Sequence, residues 1–506
     1  MKQTLITFYV VVTCIFMPLY YENGYFNTLD AKAHIFWATS GVTMGVALVI
    51  WCVNSIMTER LLPEFAKIKA QISLMDIAMA AFGMGAVLSC LFSDYKMYAL
   101  TGSQGWNIGA WTIFALVFTY FYISRNYVYD KYLWIYILVA ASCLYFLGFC
   151  NGLGLDPLGL HTKLSDSEMF EYIATIGNIN SYSGYLSLSL PLLSMVYIID
   201  SRKWLQRWLG VALVFGFMNL VVNNSDGAFL GAGLGLVFMV YYCLKNPERY
   251  GRLLQVGMFF GLGMAIMRMF VMFWPIEMVE LSGLSNVLTQ FRICMPLFAV
   301  CLLLFAVYYV KPEIFTEKLG KVLSILFAIA AIAAVVAIVA YTAMHFTGSW
   351  GTKRGWIWEF AVTVFAQGSL REKIFGVGPE CFSIPVMDQF SDFISEHWGK
   401  RIANAHNEFL QYLVTMGLVG LISYCAMWLS AWREYVKRIS WREEKAPFFF
   451  AIMGYMGQAI VNNPQALNMA TLFLFFGIYR SFDLPHEEVR SILDYDSKSK
   501  KKKKRR

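Results

Sequence analysis

The sequence predicts an all-α polytopic membrane protein of about fourteen transmembrane helices. Two observations carry this. The 506 residues are 58% hydrophobic and only 15% charged, with a mean hydropathy of +0.54, whereas a soluble domain is typically about 25% charged. Apolar runs of roughly 17–25 residues recur along the chain, the length at which a helix crosses about 30 Å of hydrocarbon. The runs are continuous rather than alternating, which excludes a transmembrane barrel.

Spans are expected near 5–21, 35–56, 72–92, 107–124, 132–150, 180–200, 207–224, 227–244, 253–274, 290–310, 321–344, 407–431, 447–463 and 466–482. The first run follows Lys2 and ends in Pro18-Leu19-Tyr20-Tyr21-Glu22. No small-x-small cleavage site follows it, so it reads as a span rather than a cleaved signal peptide.

Charge orients the spans, because short loops rich in Lys and Arg stay cytoplasmic. Such loops are the second (Arg60, Lys67, Lys69), sixth (Arg202, Lys203, Arg207), eighth (Lys245, Arg249, Arg252), tenth (Lys311, Lys318, Lys321) and twelfth (Arg433, Lys437, Arg438, Arg442, Lys445). All are even-numbered. The fifth loop instead carries Asp156, Asp166, Glu168 and Glu171 against Lys163, and the ninth carries Glu277 and Glu280. Both termini are therefore expected in the cytoplasm. Residues 1–482 read as one integral membrane domain and 483–506 as a basic cytoplasmic tail. That tail is either held at anionic membrane lipids or a solvated segment that reinforces orientation.

The exception is the eleventh loop, at about 345–405. It is the longest hydrophilic segment between spans, and it places Lys353, Arg354, Arg371, Lys373, Lys400 and Arg401 on the outer side. The charge rule is weak for long loops, so the orientation stands. A greasy chain that gathers cations, glycines and a histidine at one face is expected to do its chemistry there.

Of the ten cysteines, Cys14, Cys52, Cys90, Cys143, Cys243, Cys301 and Cys425 lie in apolar runs, and Cys381 lies in the long loop. In apolar runs cysteine acts as a small hydrophobe. No C-x-x-C or H-E-x-x-H occurs, so neither a metal site nor a cofactor is expected. No nucleic-acid partner is expected either.

Arg354 opens Arg-Gly-Trp-Ile-Trp-Glu-Phe-Ala-Val-Thr-Val-Phe, in which Trp356, Ile357, Phe360, Val364 and Phe365 share one helical face. The helix is expected to lie on the outer leaflet. Its guanidinium either snorkels to lipid headgroups or grips a phosphate bidentately. Gly376 and Gly378 let backbone approach a substrate or simply make a turn. His406, with Asn407 beside it, stands at the mouth of the twelfth span, and histidine exchanges protons near neutral pH. Asn178 and Asn180 open the sixth span as a helix cap or as substrate ligands. Asp226, in Asn223-Asn224-Ser225-Asp226-Gly227, is either a turn residue or part of the site. Arg268 and Arg292 are ionisable groups at membrane depth, where function is the default reading, although Arg268 has the option of snorkelling outward. Trp350, Trp356 and Trp398 suit sugar stacking or the membrane interface equally.

Four pieces then occur in order: Gly177-Asn178-Ile179-Asn180; Asn224-Ser225-Asp226-Gly227-Ala228; Arg354-Gly-Trp-Ile-Trp358 followed by Gly376-Val-Gly378-Pro379-Glu-Cys-Phe382; and Ala405-His406-Asn407-Glu-Phe-Leu410 with Gly417-Leu-Val-Gly420. Together they resemble the O-antigen ligase/O-antigen polymerase superfamily of integral membrane glycan transferases. The strong match covers about 350–425. A weaker one reaches back to about 100, where Gly102, Trp106, Asn107 and Gly109 resemble an upstream element. The resemblance implies a bacterial inner-membrane enzyme with a large outer loop over its site. It implies transfer of a glycan from undecaprenyl pyrophosphate to an acceptor hydroxyl on a glycan, lipid or protein, without metal or nucleotide sugar. It assigns Arg354 to the family's arginine before the catalytic loop and His406 to its essential histidine. One departure stands out. Where many members have Ser-Arg-Gly or Ser-Arg-Ala, this chain has Ser225-Asp226-Gly227, so a second phosphate-binding arginine is missing, and Arg268 or Arg292 is the candidate replacement. The resemblance leaves ligase and polymerase open.

A transporter or flippase of lipid-linked glycan is the alternative class. It predicts pseudo-repeated halves with broken helices in matching positions, and no such internal symmetry is visible.

Overall fold

The computed structural model describes residues 2–25, 27–58, 72–165, 168–274, 280–399, 401–438 and 441–484. The cations Arg60, Lys67 and Lys69 of the second loop, Asp166, Glu277, Lys400 and the basic tail from 485 onward lie outside the described residues.

The fold is all-α and polytopic. In chain order the elements are α1 (Gln3–Leu19), α2 (Thr28–Thr58), α3 (Leu74–Phe92), α4 (Lys96–Thr101), α5 (Ala110–Asn126) and α6 (Leu133–Gly152), then a two-stranded antiparallel hairpin, β1 (Tyr172–Ile173) with β2 (Gly177–Asn178). There follow α7 (Ile179–Ile199), α8 (Lys203–Asn223), α9 (Asp226–Leu244), α10 (Tyr250–Phe273), α11 (Gly283–Thr289), α12 (Phe291–Val310) and α13 (Glu317–His345). The long loop holds α14 (Trp350–Gln367), α15 (Leu370–Phe375) and α16 (Ser383–Trp398), and the chain closes with α17 (Glu408–Lys437), α18 (Ala446–Ala459) and α19 (Ala466–Ser481).

Among the described residues, ten helices are long and apolar enough to cross a membrane: α2, α3, α6, α7, α8, α9, α10, α12, α13 and α17. The shorter α1, α5, α18 and α19 occupy the places of the other four expected spans. All ten cysteines are free thiols.

The bundle has a hub and a rim. Every residue of α7 from Ser181 to Ile198 is buried, enclosed by α8, α9 and α18. At the other extreme, α12 and α13 bury almost nothing against protein. Their exposed Leu303, Val310, Ile332, Val336 and Ile338 form a belt for lipid tails, which are as apolar as the side chains themselves.

Several charges buried in the bundle are paired, which offsets their desolvation. At the end away from the long loop, Asp76 of α3 binds Arg125 of α5 at 2.6 Å and Arg480 of α19 at 3.2 Å, while Lys445 reaches Asp483 at 2.7 Å. This network fastens the far ends of α3, α5, α18 and α19. The opposite end carries the long loop.

Candidate active site

The long loop folds on its own small core. Ile357, Phe360, Ala361 and Val364 of α14 pack with Phe382, Val386 and Ile394 of the α16 region and with Ile402, Ala405 and Val414. The expected apolar face of α14 is therefore present, but protein covers it rather than the leaflet surface. The physical reason is α16, which is itself amphipathic and supplies the partner face. Trp356 is part of the same packing, edge-on to Phe393, His397 and Trp398 at 5.1–5.6 Å between centroids. Trp350 packs on Phe346 and Trp358.

Three consecutive left-handed residues, Gly351, Thr352 and Lys353, introduce Arg354. Left-handed φ is costly for Thr and Lys. Lys353 is held there by its ammonium, which donates to the His397 carbonyl and sits 5.2 Å from the Trp398 ring centroid. Arg354 emerges half-buried, with its Nε buried and without a hydrogen-bond partner. Burial pulls the guanidinium below its ordinary range, and the opposing influence is the charge of Asp226. A desolvated, under-neutralised arginine is a site for an anion.

Asp226 also has a turn role. It is the first residue of α9, and its Oδ1 accepts the Leu284 N–H at 2.9 Å. Two residues earlier, Asn224 accepts the Ser282 N–H at 3.0 Å and donates to the Glu280 carbonyl at 2.8 Å. The polar break between α8 and α9 thus staples the 280–284 segment over the bundle.

The other two arginines are placed differently. Arg268 is half-buried on α10 and acts electrostatically on Cys294 of α12. Arg292 is exposed and donates to Gln290 Oε1 at 2.7 Å. Among the described residues, no hydrogen bond or ion pair links either to Arg354.

Gly376 and Gly378 press against a break in α17. Gly417 has φ 64° and ψ −161°, so the helix is interrupted there, which leaves carbonyls in need of donors. Val377 N–H reaches the Val414 carbonyl at 3.1 Å and Gly378 N–H the Thr415 carbonyl at 3.0 Å. Ser89 Oγ also donates to Thr415, at 2.7 Å. A Cβ on Gly376 would stand 2.2 Å from the Thr415 carbonyl carbon, and one on Gly378 2.5 Å from Ser93 Oγ. At Gly376 the α17 backbone leaves no room for a Cβ, and at Gly378 the side chains of Ser93 and Ala99 leave none.

His406 follows, left-handed at φ 48° and half-buried. Its Nδ1 lies 3.3 Å from the side-chain nitrogen of Asn463, which sits between α18 and α19. Asn407 caps α17 by accepting the Leu410 N–H at 3.0 Å. Glu408 is fully buried beneath, taking hydroxyl donors from Tyr424 and from Tyr455, the latter at 2.7 Å. Asn178 caps α7 through Asn180 N–H at 2.9 Å, and the Asn180 carbonyl accepts from Asn462 at 3.2 Å. Of the three candidate asparagines, Asn178 and Asn407 are helix caps.

Sequence reasoning missed Glu380 and Asn463. Glu380 has φ 61°, and its carboxylate accepts the Ile108 N–H at 2.6 Å and hydrogen bonds from Ser103. The same 102–109 loop is held from the other side by Asp30, which accepts from Gly105 N–H at 2.7 Å and from Asn107 at 2.5 Å. The signal was a lone acid directly after Gly-x-Gly-Pro. For Asn463 it was the amide run Asn462-Asn463-Pro464-Gln465 between two apolar spans. A small cavity is lined by Trp106, Glu380, Asn404, Tyr412 and Asn463. Among the described residues, no three of the His, Cys, Asp and Glu side chains cluster as metal ligands.

Glu380 is half-buried as a residue, but its carboxyl end is enclosed. Burial pushes it up to about 8, against those hydrogen bonds. The unfolded chain loses this proton near pH 4.3, while the folded chain keeps it to about 8. The wild-type fold therefore loses stability as pH rises through that window. Glu380→Gln carries no such charge and keeps an acceptor oxygen. Its melting temperature relative to wild type should climb from pH 5 to pH 8 and then level off. A pH-independent difference contradicts the assignment.

Residues 278–425 match the family model described as O-antigen ligase. The match spans 148 of the 506 residues, so the chain carries an O-antigen ligase-like segment. The matched segment contains Arg354, Gly376, Gly378, Glu380 and His406 and stops before Asn463. That segment fits a multi-pass membrane protein with a role in glycan assembly and a glycosyltransferase type of activity. No curated protein matches the chain.

Proposed function

We propose that the protein transfers a glycan from undecaprenyl pyrophosphate to an acceptor hydroxyl at the extracytoplasmic face of a bacterial inner membrane. The observation that carries this reading is Arg354, a cation desolvated and left short of partners on a strained turn, in the family-matched segment that also holds His406. The acceptor oxygen attacks the anomeric carbon and His406 takes its proton. The bond from that carbon to the pyrophosphate oxygen breaks, and the leaving group's charge is met by Arg354. Asp226, whose charge acts on Arg354, tempers that cation's pull on the pyrophosphate. Arg268 or Arg292 is the candidate second contact to the pyrophosphate. The site domain extends over about 100–482, with the loop 345–405 as its cover. Whether the acceptor is a further lipid-linked repeat or a lipid or protein sets polymerase against ligase, and general cell-surface polysaccharide polymerisation is favoured slightly.

The direct test is reconstitution. Purified protein in lipid vesicles, given undecaprenyl-pyrophosphate-linked glycan extracted from the producing cells, should lengthen or transfer that glycan and release undecaprenyl pyrophosphate. Excess chelator should leave the rate unchanged. Passage of the donor across the vesicle membrane without transfer would favour a transporter, and activity that chelator abolishes and magnesium restores would overturn the metal-free step.

Orientation is tested separately. A cysteine at Ser391, exposed on α16, should label with an impermeant thiol reagent in intact cells, and one at Glu248 should not. The reverse pattern inverts the topology.

A further inference from the structure

We infer that Asn463 is a positioning residue that sets the tautomer of His406, presenting its amide oxygen to Nδ1 so that Nε2 is the basic nitrogen. This rests on the reading of His406 as a general base and adds to it the device that makes the ring a base.

Three observations lead there. The Asn463 amide lies 3.3 Å from His406 Nδ1. With the amide nitrogen facing the ring, Nδ1 must accept, so the proton of the neutral imidazole sits on Nε2, where a base needs a lone pair. In that arrangement the amide oxygen of Asn463, a residue 1% exposed, is buried with no partner, which is costly. A half-turn of the amide about χ2 exchanges oxygen and nitrogen without moving the residue. The oxygen then accepts Nδ1–H at the same distance, and one rotation removes both defects. The amide nitrogen gains acceptors to seek as well. Asn463 lines the cavity whose wall also holds Asn404 and Tyr412, and Asn404 Oδ1 and Tyr412 Oη are buried without partners.

An amide is the chemistry suited to this post. It accepts from Nδ1–H and fixes the ring, as a carboxylate does in a hydrolase triad, but adds no charge that would trap the imidazolium. The other ionisable groups around the pair, among the described residues, are Glu380 across the cavity, Glu408 with Tyr424 and Tyr455, and Tyr412. None is altered in the variants below.

The test reads the tautomer itself. The full chain, ring-15N-labelled at its six histidines and held in lipid nanodiscs, is examined by NMR at a pH where the ring is neutral. The His406 signal is assigned by its loss in His406→Gln. The expected result is a proton on Nδ1 and an unprotonated Nε2. A proton on Nε2 overturns the inference, whatever the variants do. In transfer assays with undecaprenyl-pyrophosphate-linked glycan from the producing cells, Asn463→Leu should lower kcat by at least about tenfold with donor KM near wild type. Asn463→Asp should retain more turnover than Asn463→Leu and move the acid limb of the kcat–pH profile upward by about one unit, because a carboxylate at Nδ1 favours the charged ring. Wild-type kcat and pH profile in both variants overturns the inference. If either variant does not fold, the wild-type tautomer decides. Wild-type transfer by His406→Gln removes the general-base reading itself, whereas an inactive His406→Gln with a proton on wild-type Nε2 removes this inference alone.

Discussion

His406→Ala should lower glycan transfer by about 10²–10⁴-fold, the loss expected when a general base is removed, while donor binding stays near wild type. The binding half of this expectation follows from placement. His406 sits at the mouth of α17, bonded to Asn463, and the group left short of partners for an anion is Arg354. Removing the imidazole deletes a proton acceptor and leaves the cation intact. The variant must first be shown to fold, because residue 406 is left-handed at φ 48°. Alanine tolerates that φ less well than histidine, so His406→Asn, which suits a left-handed position and has no basic nitrogen, is the control. If folded His406→Asn and His406→Ala both retain more than about a tenth of wild-type transfer, well short of a general base's worth, the histidine is structural and the proposed mechanism is wrong.

Arg354→Ala should behave differently, weakening donor binding and turnover together. A charge-assisted bidentate contact to a pyrophosphate acts on the bound donor as well as on the leaving group. The effect should be large because the guanidinium is desolvated and opposed by a single acid, Asp226. Arg354→Lys should restore only part, since an ammonium does not fork across two phosphate oxygens. Asp226→Asn is the companion variant. It retains the oxygen that accepts Leu284 N–H but removes the opposing charge, so donor affinity should rise. Equilibrium binding of radiolabelled undecaprenyl-pyrophosphate glycan to nanodiscs measures all three. Unchanged donor affinity in Arg354→Ala would mean that this arginine is not the anion grip.

The fold class was legible because membrane-spanning length and composition are local properties, visible in any window of the chain. Arg354 and His406 were legible as candidates because a cation or a histidine stands out against apolar surroundings. Partnership was not legible. Asn463 lies 57 residues from His406, and Glu380 lies 272 residues from the Ile108 N–H it accepts. No periodicity reports pairs so distant. The face of α14 was visible as a pattern, yet the same pattern suits a leaflet and a neighbouring helix, and only the presence of α16 decides between them. Asn178 and Asn407 each allowed a cap or a ligand, and their backbone partners two and three residues on settle the capping role. Gly376 and Gly378 each allowed a substrate approach or a turn. The broken α17 fills the space at Gly376, and Ser93 and Ala99 fill it at Gly378.

That break at Gly417 bears on how a substrate would reach the proposed site. The cover over the site is sewn to α17 by the Val377 and Gly378 amides at its base, along a seam where neither glycine has room for a methyl group. Raising the cover like a hatch would tear the seam and strand its donors and carbonyls, at a cost of about 1–3 kcal/mol for each buried group left unpaired. A fixed roof of this kind makes traffic horizontal. In the proposed reaction a lipid-linked donor would enter, and its product leave, at the flank of the loop, without the roof lifting at each turnover.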